Sequence, residues 1–144
     1  MPAFKDQAEL RHYLGILYDE AKCDARIAPK IRDAGMIVRF RYDDPQDVVT
    51  MNVTAPPTQP GAYFDVLWGE DTGLKPTVEM SMKADIAHAF WHGRVNLMQA
   101  LTRRQIIAKG PIPKILRLLP AVEPMYEMYP RLLRAAGRDD LVLT

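Results

Sequence analysis

Residues 84–110 read ADIAHAFWHGRVNLMQALTRRQIIAKG, and their order decides the fold. Ile86, Ala87, Phe90 and Trp91 recur at helical spacing, and Gly93 ends the run. NLMQALTRR, opened by Asn96, is expected to form a second short helix. QIIAKG then alternates as a strand closing at Gly110. Helix, helix and strand follow without a nucleophile among them, so the segment reads as a wall rather than a reaction centre.

Upstream of this segment the period is two. In MIVRFRYDD, Met36, Val38, Phe40 and Tyr42 alternate with Ile37, Arg39 and Arg41, and Asp43-Asp44-Pro45 makes a turn. DVVTMNVT sets Val49, Met51 and Val53 against Thr50, Asn52 and Thr54. AYFDVLWG and TVEMSMK add two more strands, with Phe64, Val66 and Trp68 on one face of the first and Val78, Met80 and Met82 on one face of the second. The intervening APPTQPG is a connection, because three prolines cannot join a ladder. One apolar and one more polar face per strand predicts a mainly antiparallel sheet covered on one side. Ahead of the sheet, residues 4–22 carry Phe4, Ala8, Tyr13, Leu14, Leu17, Tyr18 and Ala21 at helical spacing, and a second helix is expected from about Asp24 to Asp33, stopping at Gly35.

Downstream, PIPKILRLLPAVEPMYEMYPRLLRAAG is apolar but punctuated by Pro111, Pro113, Pro120, Pro124 and Pro130, so short or kinked helices replace one straight helix. No internal repeat or second domain is visible. Residues 1–144 read as one domain, long enough to bury roughly 68–70% of the surface of the unfolded chain.

The composition is that of an ordinary globular protein, with 48% hydrophobic and 26% charged residues and a net charge of +1. Charge is unevenly placed: residues 89–138 hold nine Lys/Arg against Glu123 and Glu127 only. A basic C-terminal third fits contact with anionic lipid or a phosphate-bearing partner, and equally a set of solvated helix faces. Nucleic acid is not expected, because Phe64, Trp68, Phe90 and Trp91 fall on apolar faces instead of an exposed stacking platform. Cys23 is the only cysteine, the N-terminal stretch is broken by charges, and no uncharged apolar run approaches 18 residues. A cytoplasmic protein is expected.

Catalytic patterns are sparse. Ser81, the only serine, sits in mid-strand outside any G-x-S-x-G elbow, and the eight glycines form neither a dinucleotide fingerprint nor a P-loop. Asp85, His88 and His92 share one helical face, where two imidazoles could hold an ion. No Glu stands between the histidines and no cysteine pair completes a site, so a solvated helix face is preferred. No metal, cofactor or catalytic residue is expected. The eight methionines either fill an ordinary core or line a pocket that accepts variable shapes.

Residues 84–110 resemble the signature of the sterol carrier protein-2 (sterol-binding domain) family. Asp85, Phe90, Gly93, Asn96, Ala100, Ile106 and Gly110 occupy the matching places, and the helix-first order, the strands through MSMK and the apolar C-terminal helices extend the likeness over the chain. Two positions depart from it: Leu97 stands where the family has Pro, and Arg104 where it has Gly before the last strand. The resemblance implies an α+β domain with a five-stranded, mainly antiparallel sheet, helices packed on one face, and a hydrophobic tunnel between them. It also implies binding of a sterol, fatty acid, fatty acyl-CoA or related lipid, or an accessory role beside a lipid- or isoprenoid-metabolising enzyme.

On that expectation the tunnel is lined by Phe40, Met51, Phe64, Trp68, Met80 and Met82 from the sheet. The helices are expected to add Phe90, Trp91, Met98, Leu101, Ile115, Leu119, Met125 and Met128. Arg103, Arg104, Lys109, Lys114 and Arg117 are expected to meet an anionic head group or a membrane surface.

Overall fold

A five-stranded sheet with its strands in the order β3-β2-β1-β4-β5 forms the floor of the molecule. The computed structural model describes residues 2–143 except Ala55 and Asp71. Two helices come first, α1 (Gln7–Cys23) and α2 (Ala28–Asp33), followed by β1 (Ile37–Asp43), β2 (Asp47–Asn52), β3 (Asp65–Trp68) and β4 (Val78–Lys83). Then come α3 (Ala84–Trp91), α4 (Leu97–Thr102), β5 (Ile106–Lys109), α5 (Ile112–Val122) and α6 (Met125–Ala135), and a 3₁₀ turn over Asp139–Leu141.

The fold is the expected α+β arrangement. Three neighbouring pairs are antiparallel, and the central pair, β1 with β4, is parallel, so the sheet is mixed. Register places Phe40 beside Val49 and Met80, and Met82 beside Ile106. The apolar alternation therefore stacks across strands into one continuous inner face, over which α1, α3, α5 and α6 close.

The outer face is less open than alternation implies. Arg39 and Thr50 are buried there. The Arg39 guanidinium donates to the Thr50 hydroxyl (3.0 Å), the Thr72 hydroxyl (3.2 Å) and the Leu74 carbonyl (2.8 Å), drawing the loop after β3 across the sheet. Each donor finds an acceptor, which is what lets a charged group lie under a loop.

The residues of the 84–110 segment serve this architecture. The Asp85 carboxylate accepts the Ala3 N–H at 2.8 Å, tying the N-terminus to α3. Asn96 caps α4 by accepting the Gln99 N–H at 3.0 Å. Gly110 adopts φ +109°, and a Cβ there would lie 2.5 Å from the Thr77 carbonyl oxygen. Arg104, where the resembling family has Gly, adopts φ +59° in the turn between α4 and β5, a left-handed conformation that glycine takes without strain.

The proline-rich tail forms two helices, not one. Pro124 sits at the N-terminal boundary of α6, while Pro120 and Pro130 each remove one ladder bond from inside α5 and α6.

Candidate functional site

Two small apolar cavities lie along the inner face of the sheet. The larger, of about 40 Å³, is bordered by Tyr18, Ala21, Ile31, Val38, Phe40, Met51, Val53, Phe64 and Trp91 and roofed by Leu118, Val122 and Met125 of α5 and α6. The smaller, of about 10 Å³, is enclosed by Phe40, Tyr42, Met80, Met82, Ala87, Phe90, Trp91 and Ile106. Phe40 and Trp91 border both. Their rings meet edge to face with centroids 6.3 Å apart, forming a two-residue partition in one line of apolar space. Pockets that hold small molecules measure roughly 300–1,000 Å³, so the structure is closed: side chains occupy the volume that a lipid would need.

Among the described residues, no charged side chain borders either cavity. The polar atoms present belong to a buried seam in which the Trp91 indole N–H donates to the Tyr18 hydroxyl at 3.1 Å, and the hydroxyls of Tyr18 and Tyr42 lie 2.5 Å apart. Burial pushes both phenols well above their ordinary range, so they remain neutral donors.

The structure gathers Phe40, Met51, Phe64, Trp91 and Met125 at the larger cavity, and Phe40, Met80, Met82, Phe90 and Trp91 at the smaller. Ile115 and Met128 are buried among the helices but border neither cavity. Leu101 and Leu119 are half-buried and also stand outside both. Trp68 lies at the β3 edge, with the Arg11 guanidinium 5.3 Å from its ring centroid.

Met98 borders neither inner cavity. It is 54% exposed on the outer side of α4, because Leu97 and Ala100 take the inward positions of this six-residue helix. Wall residues that sequence reasoning missed include Tyr18, Ala21, Ile31, Leu118 and Val122. Tyr18 and Ala21 already stood on the apolar face of the first helix, which was the available signal.

Arg103, Arg104, Lys109, Lys114 and Arg117 are all exposed, and none forms an ion pair among the described residues. The exposed apolar side chains of Met98 and Ile107 lie in the same stretch of surface as Arg104, along a groove between α4, β5 and the start of α5.

The Asp85, His88 and His92 side chains are used separately. His88 is buried, with Nε2 2.7 Å from the Leu141 carbonyl and Nδ1 2.8 Å from the Tyr129 hydroxyl. A carbonyl only accepts, so Nε2 carries the proton and Tyr129 donates to Nδ1. His92 Nδ1 bonds the His88 carbonyl (2.8 Å), and its Nε2 accepts the Leu143 N–H (3.2 Å). Every ring nitrogen thus has a protein partner, and among the described residues no group of His, Cys, Asp or Glu is arranged to hold a metal. No helix among the described residues is long and apolar enough to cross a membrane.

No family model matches the chain, and no curated protein matches it. Solved structures do match. A sterol carrier protein domain 2 from Helicoverpa armigera superposes with a TM-score of 0.62 at 17% identity, covering 81% of this chain and 87% of that one. The apo sterol carrier protein 2 from Yarrowia lipolytica gives 0.59 at 14% identity over 79% and 87%. A UbiJ-SCP2 ubiquinone synthesis protein gives 0.55 at 11% identity over 79% and 90%. The chain is therefore an α+β protein whose helices close over one face of a mixed five-stranded sheet, and this is the sterol carrier protein 2 fold.

Proposed function

We propose that residues 1–144 form one unit that binds a hydrophobic ligand, of the sterol, fatty-acid or acyl-CoA kind, between the sheet and helices α5 and α6, and passes it on without chemical change. The observation that carries this reading is the line of two uncharged cavities, walled by methionine and aromatic side chains and divided by Phe40 and Trp91. Thioethers adapt their shape at little cost. The roof helices each lack a ladder bond at Pro120 or Pro130, which lowers the cost of moving them aside. Burying a chain gains about 0.8 kcal/mol per methylene, and a membrane offers nearly the same, so uptake and release are close to balanced. No step in this reading needs a metal, cofactor or catalytic group, and the reading assigns the protein to the cytoplasm.

The test fills the cavity. Val122→Phe adds a ring at a half-buried position of the roof. Uptake of the fluorescent fatty acid parinaric acid is expected to fall about fivefold or more while the fold is retained. Unchanged uptake by a folded variant removes the cavity from the binding site.

A second reading is favoured by the exposed Met98 and Ile107 beside Arg103, Arg104 and Lys109, which form no ion pair among the described residues: the chain presents a lipid or isoprenoid intermediate to a partner enzyme or to an anionic membrane surface. The ubiquinone synthesis protein among the fold neighbours gives a setting for such a role. Capture of a partner at low salt that is lost at high salt supports it, because the screening length shrinks from about 30 Å at 0.01 M to about 3 Å at 1 M.

A further inference from the structure

The Tyr18–Tyr42–Trp91 seam carries more donors than its bonds consume. Two hydroxyl protons and one indole proton are present, and the described contacts give two hydrogen bonds: Trp91 Nε1–H to the Tyr18 oxygen, and one bond between the two hydroxyls in either direction. If Tyr18 donates to Tyr42, the Tyr42 proton has no acceptor within hydrogen-bond distance among the described residues. If Tyr42 donates to Tyr18, the Tyr18 proton has none there either. One buried O–H is therefore left over in both arrangements, a costly condition in an apolar interior. Tyr18 is fully buried and Tyr42 is 2% exposed, so bulk water does not reach them.

The surplus donor sits where a ligand would lie. Tyr18 borders the larger cavity and Tyr42 the smaller, and Trp91 borders both. A water is a poor occupant, since it requires two to four polar partners. The larger cavity offers it one polar side chain, Tyr18, and the smaller one, Tyr42, besides the shared indole.

We propose that the paired hydroxyls of Tyr18 and Tyr42 bind a neutral acceptor oxygen, the carbonyl of a ketone or ester, carried within an otherwise apolar ligand. This rests on the reading of the cavities as a hydrophobic binding site and adds the polar chemistry of the guest. Neutrality follows from the walls: with no cation among the described residues bordering either cavity, a carboxylate drawn to this depth would be desolvated without a counter-charge. A carbonyl gives up its hydrogen bonds to water on entering, a smaller cost than stripping a carboxylate, and recovers one from the donor that is otherwise left unpaired. The site thus selects for a mid-chain or ring carbonyl over a pure hydrocarbon of the same length.

The experiment uses a matched pair delivered from cyclodextrin, heptadecane and 9-heptadecanone labelled with ¹³C at the carbonyl. The ketone is expected to bind about fivefold more tightly than the alkane, with its carbonyl stretch shifted to lower frequency than in hexane. Site-specific 3-fluorotyrosine at position 18 or 42 strengthens that hydroxyl as a donor while preserving its shape. At least one of the two substitutions is expected to shift the stretch further, which a merely structural hydroxyl would not do. Ketone that binds with its stretch at the hexane position, or with a shift insensitive to both substitutions, overturns the proposal and leaves the hydrophobic site standing. Failure of both probes to bind overturns the hydrophobic site and the proposal together.

Discussion

His88 Nε2 donates to the carbonyl of Leu141 at 2.7 Å, fastening the C-terminal 3₁₀ turn to helix α3. The imidazole is neutral in this arrangement because Nδ1 accepts from Tyr129 at 2.8 Å. Burial, with a further contribution from His92, lowers its pKa from 6.5 to about 4, against a weaker opposing pull from Asp85 and the Leu141 carbonyl.

A stability profile follows from that shift. Between pH 6.5 and about 4 the unfolded chain binds a proton at this position that the folded chain refuses, so stability falls as pH drops through this window. Above 6.5 the contribution is complete, and its total is about 3 kcal/mol. His92 shifts in the same direction through burial, with Arg94 and Arg134 adding repulsion, and steepens the slope. Denaturant titrations at several pH values are expected to show this loss, and His88→Gln is expected to flatten it. An unchanged slope in the variant would assign the loss to other groups.

Arg104 holds a left-handed backbone at φ +59°. Replacing it by glycine relieves about 1–2 kcal/mol of steric strain, against a backbone-entropy cost of roughly 0.5–1 kcal/mol. Arg104→Gly is therefore expected to stabilise the protein by about 0.5–1 kcal/mol, read as an upward shift of the thermal midpoint of about 2 °C. A lower midpoint would show that the arginine side chain makes a compensating contact.

Gly110 is the reverse case. An added methyl would meet the Thr77 carbonyl oxygen at 2.5 Å and the Val78 Cα at 3.1 Å, both backbone atoms that cannot swing aside. Gly110→Ala is expected to cost about 3 kcal/mol by separating the end of β5 from the start of β4. A denaturation midpoint equal to wild type would contradict the register at that edge.

The Asp47 carboxylate is buried on the helix-facing side of β2 and receives two bonds from Arg11, at 2.8 and 3.0 Å. Arg11→Met keeps the side-chain bulk and leaves that carboxylate without its partner. The expected loss is about 2 kcal/mol, and the double variant Arg11→Met/Asp47→Asn is expected to recover part of it. Additive losses would show that the two groups do not depend on each other.

The exposed basic residues make a separable prediction. If Arg103 and Lys109 face anionic lipid, Arg103→Gln and Lys109→Gln should each weaken binding to phosphatidylserine vesicles about fivefold at low salt, in line with about 1 kcal/mol per basic group. Sedimentation with such vesicles reads this directly. Equal binding by the variants would leave these side chains as solvated surface.

Much of the architecture could be read from period alone. Alternation in residues 36–42 places Val38, Phe40 and Tyr42 on the inner face, and of the C-terminal prolines Pro124 marks the break between two helices while Pro120 and Pro130 lie inside them. The parallel pairing of β1 with β4 was not legible, because a strand's own pattern does not name its neighbour. The burial of Arg39 and Thr50 depends on a loop more than 20 residues later in the chain. Met98 and Leu97 differ by one position on a short helix, and spacing alone did not settle which of them turns inward. The seam of Tyr18, Tyr42 and Trp91 joins residues 24 and 73 positions apart, so each read only as one more apolar-face aromatic.

Native mass spectrometry of the purified protein, offered a mixed panel of sterols, fatty acids and acyl-CoA and followed by extraction and identification of what is retained, tests the central claim most directly. The expected result is one lipid per chain, retained by the wild type and reduced in Val122→Phe. A clean apo mass after exposure to the whole panel would contradict it, leaving the space around Phe40 and Trp91 as a filled core.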